Sequence, residues 1–237
     1  MSLLKLPLII LDVVLTRISA SPPNPALPIK AHIIPDWRER FLKSLAYPSK
    51  IFRLLYWTSS LIETVVILAN RKPSSPISAL LLRNLLASPT SISSIRISAP
   101  FLLGISLTLV GTIVRMHCYR TLGKLFTFEL SIMKDHTLIT TGPYAYVRHP
   151  SYTGLIVTIV GGYLSHISEG SWVRESGLLE TTVGLGILVV FITIGLAVIL
   201  SLLLRIPSED MILRRRFGVE WEEWARRVPY KIVPGIY

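Results

Sequence analysis

Apolar residues in this chain come in long unbroken blocks, separated by short stretches that hold nearly all the charge. No charged residue lies between Glu180 and Arg205, a run of 24, nor among the 18 residues between Arg96 and Arg115. At 1.5 Å per helical residue, such blocks measure about 27–36 Å, the hydrocarbon thickness of a bilayer. The pattern predicts an all-α, polytopic integral membrane protein with about five transmembrane helices, near residues 3–18, 54–70, 97–114, 151–167 and 181–204. The first segment is short and carries Asp12 at its centre. It reads as an anchor, or as a signal peptide with Lys5 before the apolar stretch and Ile18-Ser19-Ala20 as a cleavage-like end. The second carries Glu63. The last two are rich in glycine (Gly154, Gly161, Gly162, Gly184, Gly186, Gly195), which permits close helix approach. Gly184-x-Gly186 is not a dinucleotide loop, because it lies inside a spanning segment and lacks the third glycine. An apolar patch at 77–86 reads as a surface helix or a re-entrant piece.

Composition excludes an ordinary soluble domain. Of the 237 residues only 16% are charged, against roughly 25% in a typical globular chain, and the mean hydropathy is +0.55. The net charge of +11 lies between the apolar blocks, which suits an anionic membrane face rather than nucleic acid. With five spans, 19 of the 25 Lys and Arg residues fall on one side, which predicts a cytoplasmic C-terminus. The lone Cys118 excludes an internal disulfide and any multi-cysteine metal site, and no metal is expected at His117, His136 or His149.

Two polar stretches, 121–154 and 205–237, are denser in unusual residues than linkers need to be. In the first, Gly142-Pro143 is a turn signal and Arg148-His149-Pro150 stands at the mouth of the fourth segment. Pro150 suits a first helical turn, whose free N–H groups beside Arg148 and His149 would form a partly positive pocket. In the second, Pro207-Ser208-Glu209-Asp210 is expected to open a new helix after the fifth segment. Arg205 and Glu209 are four apart, so on a continuous helix they share a face just outside the membrane. They could hold a carboxylate and a cation respectively, or simply each other. Trp221 and Trp224, three apart, predict an amphipathic helix lying on the lipid.

Taken together, LG-x3-T at 122–127, DHTLIT at 135–140, GPY at 142–144, RHPSYTG at 148–154 and R-x3-E-D…FG-x-E-W at 205–221 resemble the isoprenylcysteine carboxyl methyltransferase family. The likeness covers about residues 115–237 and divides the chain into N-terminal spans and loops, 1–96, and a methyltransferase core, 97–237. It implies S-adenosylmethionine as methyl donor, in a cytoplasmic pocket formed by the loop before the fourth helix and the C-terminal tail. By position, the cofactor-binding residues it implies are Glu129, His136, Thr137, Leu138, Ile139, Tyr144, His149, Pro150, Ser151, Tyr152 and Glu209. Arg205 is implied as the group that holds the substrate carboxylate, with Arg205 and Glu209 together as the catalytic pair. Two positions depart from the pattern: Glu129 stands where the family often has Gln, and Trp221 where Tyr is familiar. The implied reaction is methylation of the C-terminal carboxylate of prenylated proteins or prenylcysteine, at the endoplasmic reticulum membrane. Other readings are a lipid or isoprenoid acceptor, such as a phospholipid amine or a small isoprenoid acid, a sterol reductase-like oxidoreductase, and a non-enzymatic scaffold.

Overall fold

A computed structural model describes residues 3–25, 37–88, 91–127 and 137–237. Among them all regular structure is helical: α1 (Lys5–Ala20), α2 (Trp37–Ser44), α3 (Ala46–Ala69), α4 (Pro76–Leu85), α5 (Ser91–Ser94), α6 (Ala99–Leu122), α7 (Pro150–Ile167), α8 (Trp172–Glu175), α9 (Thr182–Phe217) and α10 (Val219–Arg227). Among the described residues, three stretches are long and apolar enough to cross a membrane: Ala46–Ala69, Ala99–Leu125 and Thr182–Phe217. This is a helical, multi-pass membrane protein. Of the other two expected segments, α1 has 16 residues, about 24 Å, short of the roughly 30 Å hydrocarbon core. Helix α7 reaches 18 residues, but Ser151, Tyr152, Thr153, Ser165 and His166 dilute its apolar content. Helix α3 starts eight residues before the expected 54, with Pro48 in its first turn, where the missing N–H costs nothing.

The chain forms two compact units, each drawn from three stretches of sequence. The first comprises Met1–Arg17, Tyr47–Leu109 and Thr158–Leu196. Its core is Ile9, Val66, Ile67, Phe101, Ile105 and Trp172 with their neighbours. Several polar side chains are buried in it, and each has a specific partner, because an unpaired charge in an apolar medium costs several kcal/mol (order of magnitude). Lys5, 1% exposed, pairs with Glu63 and donates to the Gly170 carbonyl at 2.6 Å. Glu63 also accepts the Trp172 backbone N–H at 2.9 Å. Asp12 accepts from the hydroxyls of Tyr56 and Ser165 at 2.5 and 2.8 Å. The glycines permit the close approach of α6 and α7: a Cβ on Gly161 would lie 2.6 Å from both the Gly104 carbonyl and the Thr108 N–H nitrogen.

The second unit comprises Ile18–Ala46, Val110–Val157 and Ala197–Tyr237. Its core is Cys118, Tyr144, Trp221, Trp224 and Val228. Two expectations fail here. Trp221 and Trp224 do not lie on lipid: they are 8% and 3% exposed and face the protein, while Glu220, Glu222 and Glu223 take the outer face of α10. The same three-residue spacing marks an apolar stripe whether lipid or protein covers it, and here protein covers it. Nor does a new helix open at Pro207. Helix α9 runs through it unbroken. Proline's fixed φ suits a helix and forfeits one backbone bond, while burial of Ser201, Leu202, Arg205, Ile206 and Asp210 anchors the face on both sides of it.

The close approach at Gly161 yields a paired test. Gly161→Ala should destabilise by about 1–3 kcal/mol through overpacking. Gly186→Ala, where a Cβ meets nothing within 4 Å, should be neutral or stabilise by about 0.5–1 kcal/mol. Thermal unfolding in detergent compares them; equal effects would contradict the packing described.

Candidate functional site

The site is built in the second unit from the turn before α7, the end of α9, α10 and the C-terminal tail. Gly142 takes φ +61°, a conformation that L side chains rarely adopt, and so turns the chain against Thr121. The single turn Gly142–Ala145 follows and buries Tyr144, whose carbonyl accepts the Trp224 indole N–H at 3.1 Å. Residues ahead of a proline favour extended backbone, and here that exposes two successive N–H groups. Both are taken by the C-terminal tail, and of the first-turn N–H groups that the sequence reading left free, those of Tyr152 and Thr153 are bonded as well. The Arg148 N–H donates to the Tyr230 carbonyl at 2.9 Å and the His149 N–H to Lys231 at 2.7 Å. The Tyr152 and Thr153 N–H groups turn back onto the His149 carbonyl. Buried N–H groups require acceptors, and the tail supplies two of them. As expected, Pro150 opens α7.

The side chains of this turn meet the end of α9. His149, 7% exposed, has Nε2 3.0 Å from Asp210 Oδ1 and Nδ1 3.3 Å from Glu209 Oε2. Ionised carboxylates only accept, so this arrangement calls for a proton on each ring nitrogen. Asp210 is shared with the Arg148 guanidinium at 3.1 Å. Glu209 is held by Arg205 Nε at 2.8 Å and by the Tyr152 hydroxyl at 2.6 Å. Arg205 and Glu209 thus share a helical face, as their spacing predicts, and pair with one another. Burial alone would favour a neutral His149, but the hydrogen bonds and charges of Asp210 and Glu209 outweigh it and raise its pKa above the ordinary value.

Arg148, His149, Tyr152, Arg205 and Glu209 border a cavity of about 160 Å³, with Asp210 behind them outside its lining. Of the residues picked out in the sequence, Leu138, Ile139, Tyr144, His149, Ser151, Tyr152, Arg205 and Glu209 line it. Thr137 is exposed and Pro150 buried, and neither lines it. Glu129 and His136 lie outside the described residues. The sequence reading missed Asp210, which holds both Arg148 and His149; its place beside Glu209 in R-x3-E-D was the available signal. It also missed Arg115. That residue is 2% exposed and donates to the Ser151 carbonyl and hydroxyl at 3.0 and 3.2 Å. A lone Arg ending an apolar block reads as an interface anchor, which hid this role. Trp224 was read as a lipid contact and is a wall of the cavity.

Fold and site define a helical membrane protein with a small cavity whose apolar and aromatic walls meet an ordered cluster of acids and bases. Comparison with known proteins supports the resemblance carried by the motifs. Residues 103–168 match the isoprenylcysteine carboxyl methyltransferase family. The chain is 30% identical over 130 residues to protein-S-isoprenylcysteine O-methyltransferase B of Arabidopsis thaliana, covering 53% of this chain and 55% of that one. It is 32% identical over 96 residues to the protein-S-isoprenylcysteine O-methyltransferase of Schizosaccharomyces pombe, 40% of this chain and 33% of the relative. It is also 32% identical over 114 residues to the nickel-cobalt-cadmium resistance protein NccN of Alcaligenes xylosoxydans xylosoxydans, 46% of this chain and 42% of that protein. The chain therefore spans about half the length of the plant relative, and less of the other two. The family match takes in the RHPSYTG turn but stops before Arg205.

The raised pKa of His149 sets a pH dependence. Its pairing contributes stability that is fully present below the unfolded pKa of about 6.5 and is lost as pH rises through the higher folded value. The gap in melting temperature between the wild type and His149→Gln should accordingly be widest below about pH 6.5 and narrow at higher pH. A gap that widens with pH would contradict a charged His149.

Proposed function

We propose that this protein is an S-adenosylmethionine-dependent carboxyl methyltransferase acting on the C-terminal prenylcysteine of prenylated proteins, with residues 97–237 as its catalytic core. The observation that carries this reading is a buried guanidinium, Arg205, beside the half-buried carboxylate of Glu209 in one cavity with the RHPSYTG turn. The names of the plant and fission-yeast relatives support the same chemistry. Residence in the endoplasmic reticulum and five membrane helices, with the shorter α1 and α7 added to the three long stretches, are part of the proposal, and the distribution of basic residues supports a cytoplasmic C-terminus.

The donor set fits the cofactor. Leu138, Ile139, Tyr144 and Trp224 offer apolar and aromatic walls to a purine, Arg148 offers a cation to a carboxylate, and Glu209 offers an anion to a cationic centre. When bound, S-adenosylmethionine supplies a methyl group already activated by a sulfonium, so a carboxylate acceptor needs no strong base. The protein's task is then to position two partners and exclude water. Arg205 would hold the acceptor carboxylate; a guanidinium has five N–H donors, so its Nε contact with Glu209 is compatible with a second acceptor. His149, Tyr152 and Arg205 fix the Glu209 carboxylate in place. Asp210 and Arg148 in turn fix His149.

Membranes containing the protein should transfer labelled methyl from S-adenosylmethionine to farnesyl-cysteine as a base-labile ester. Label appearing only on an amine acceptor, or no transfer, would contradict the proposal. Arg205→Leu should lower turnover of farnesyl-cysteine at saturating cofactor roughly 10- to 150-fold, the value of a charged hydrogen-bonded partner at about 1.5–3 kcal/mol. Arg205→Lys should recover part of that, keeping the charge without the planar fork. Glu209→Gln should weaken cofactor binding first. Matched small losses in both assays for Arg205→Leu and Glu209→Gln would make the pair a structural salt bridge only.

A further inference from the structure

No residue of the C-terminal tail after α10 is among the site residues that the motifs imply, yet its backbone lies along the Arg-His-Pro turn of the site. Four carbonyls in succession accept from that turn. Pro229 takes Arg148 Nη2 at 3.3 Å, Tyr230 the Arg148 N–H at 2.9 Å and Lys231 the His149 N–H at 2.7 Å. Ile232 takes the Thr153 hydroxyl at 2.7 Å. Successive N–H groups that converge form a concavity suited to an acceptor, and here carbonyls of the same chain occupy it.

The far end of the tail is closed on itself. The Ile232 and Val233 N–H groups both donate to the Tyr237 carbonyl, at 2.7 and 2.9 Å, and Lys231 Nζ donates to the Tyr237 hydroxyl at 3.0 Å. At its near end, Val228 is 5% exposed and packs with Trp221 and Trp224. The segment 229–232 is thus anchored on both sides and drawn over the turn as a strap.

We infer that this strap, received by the Thr153 hydroxyl and the Arg148 and His149 N–H groups, is a positioning element that fixes the His149 ring where the cofactor needs it. The reasoning is geometric. His149 reaches Glu209 and Asp210 on α9 with both ring nitrogens, and a ring held at two atoms tolerates little movement of its own backbone. Helix α7 holds the carbonyl side of His149 through the Tyr152 and Thr153 N–H groups, but Pro150 has no N–H to add, and the N–H side of His149 is held by the tail alone. The tail carbonyls supply the restraint. Thr153 is one helical turn beyond His149 and extends the contact to α7 itself. Thr153 and the tail carbonyls act through His149 and are positioning groups, not catalytic ones.

This inference rests on reading the cavity as a cofactor site, and its test separates the two. Thr153→Val removes the hydroxyl at nearly equal volume, and Thr153→Ser restores it. In the full-length protein, Thr153→Val should weaken S-adenosylmethionine binding by calorimetry about 3- to 10-fold, the worth of one neutral hydrogen bond. It should raise the apparent KM for the cofactor equally, and leave the KM for farnesyl-cysteine and kcat at saturating cofactor unchanged. Thr153→Ser should restore wild-type affinity. A chain ending at Val228, which loses the whole strap, should bind the cofactor at least tenfold more weakly. If Thr153→Val binds like the wild type, or if the loss appears equally in both KM values, kcat and melting temperature, the strap is only structural and the inference fails. A Thr153→Val protein that does not fold, while Thr153→Ser does, is the same structural result and also overturns it. If the wild type itself binds no S-adenosylmethionine, the cofactor reading falls and the strap falls with it.

Discussion

A buried imidazole with a carboxylate against each ring nitrogen can satisfy both only by carrying two protons. That constraint organises the second unit. His149 must be cationic to sit between Glu209 and Asp210, and the two acids, adjacent on α9, can be ionised side by side only because His149, Arg148 and Arg205 stand among them. Removing any one member would leave a desolvated charge uncompensated, which is far costlier than losing a solvent-exposed pair. The cluster therefore fixes the end of α9 against the start of α7, two elements far apart in sequence.

The continuity of α9 follows from the same requirement. A helix that broke at Pro207 would turn Arg205 away from Glu209 and Asp210; running straight through, it presents all three to one side. The Trp pair of α10 closes the unit behind them, and the tail returns from it to the Arg-His-Pro turn. In the first unit the same rule is met by different means. There Lys5 and Glu63 compensate one another, while Asp12 is held by neutral hydroxyls.

Long apolar runs made the helices legible, because an uncharged run of bilayer length has few alternatives. The site was legible where local spacing carries it: Arg205 and Glu209 at four residues apart, and Pro150 opening α7. What spacing does not carry is the identity of a partner. Nothing near Trp221 or Trp224 says whether lipid or protein covers their face, and nothing near Arg148 says that its N–H already has an acceptor more than eighty residues away. Pro207 misled for a related reason. Its local cost is fixed, but the burial that offsets it is tertiary. Asp210 escaped notice because motif reading favours the residue with an implied role over its neighbour.

Under the proposed function, His149 and Asp210 work as one unit in holding S-adenosylmethionine. A double-mutant cycle on S-adenosylmethionine affinity, with His149→Gln, Asp210→Asn and the pair, tests it most directly. Residues in one hydrogen-bonded network show coupling of about 0.5–3 kcal/mol, against roughly 0.3–0.5 kcal/mol of scatter for independent sites. The account predicts that the double variant binds the cofactor little worse than the weaker single variant, giving coupling well above that scatter. Losses that simply add would contradict it.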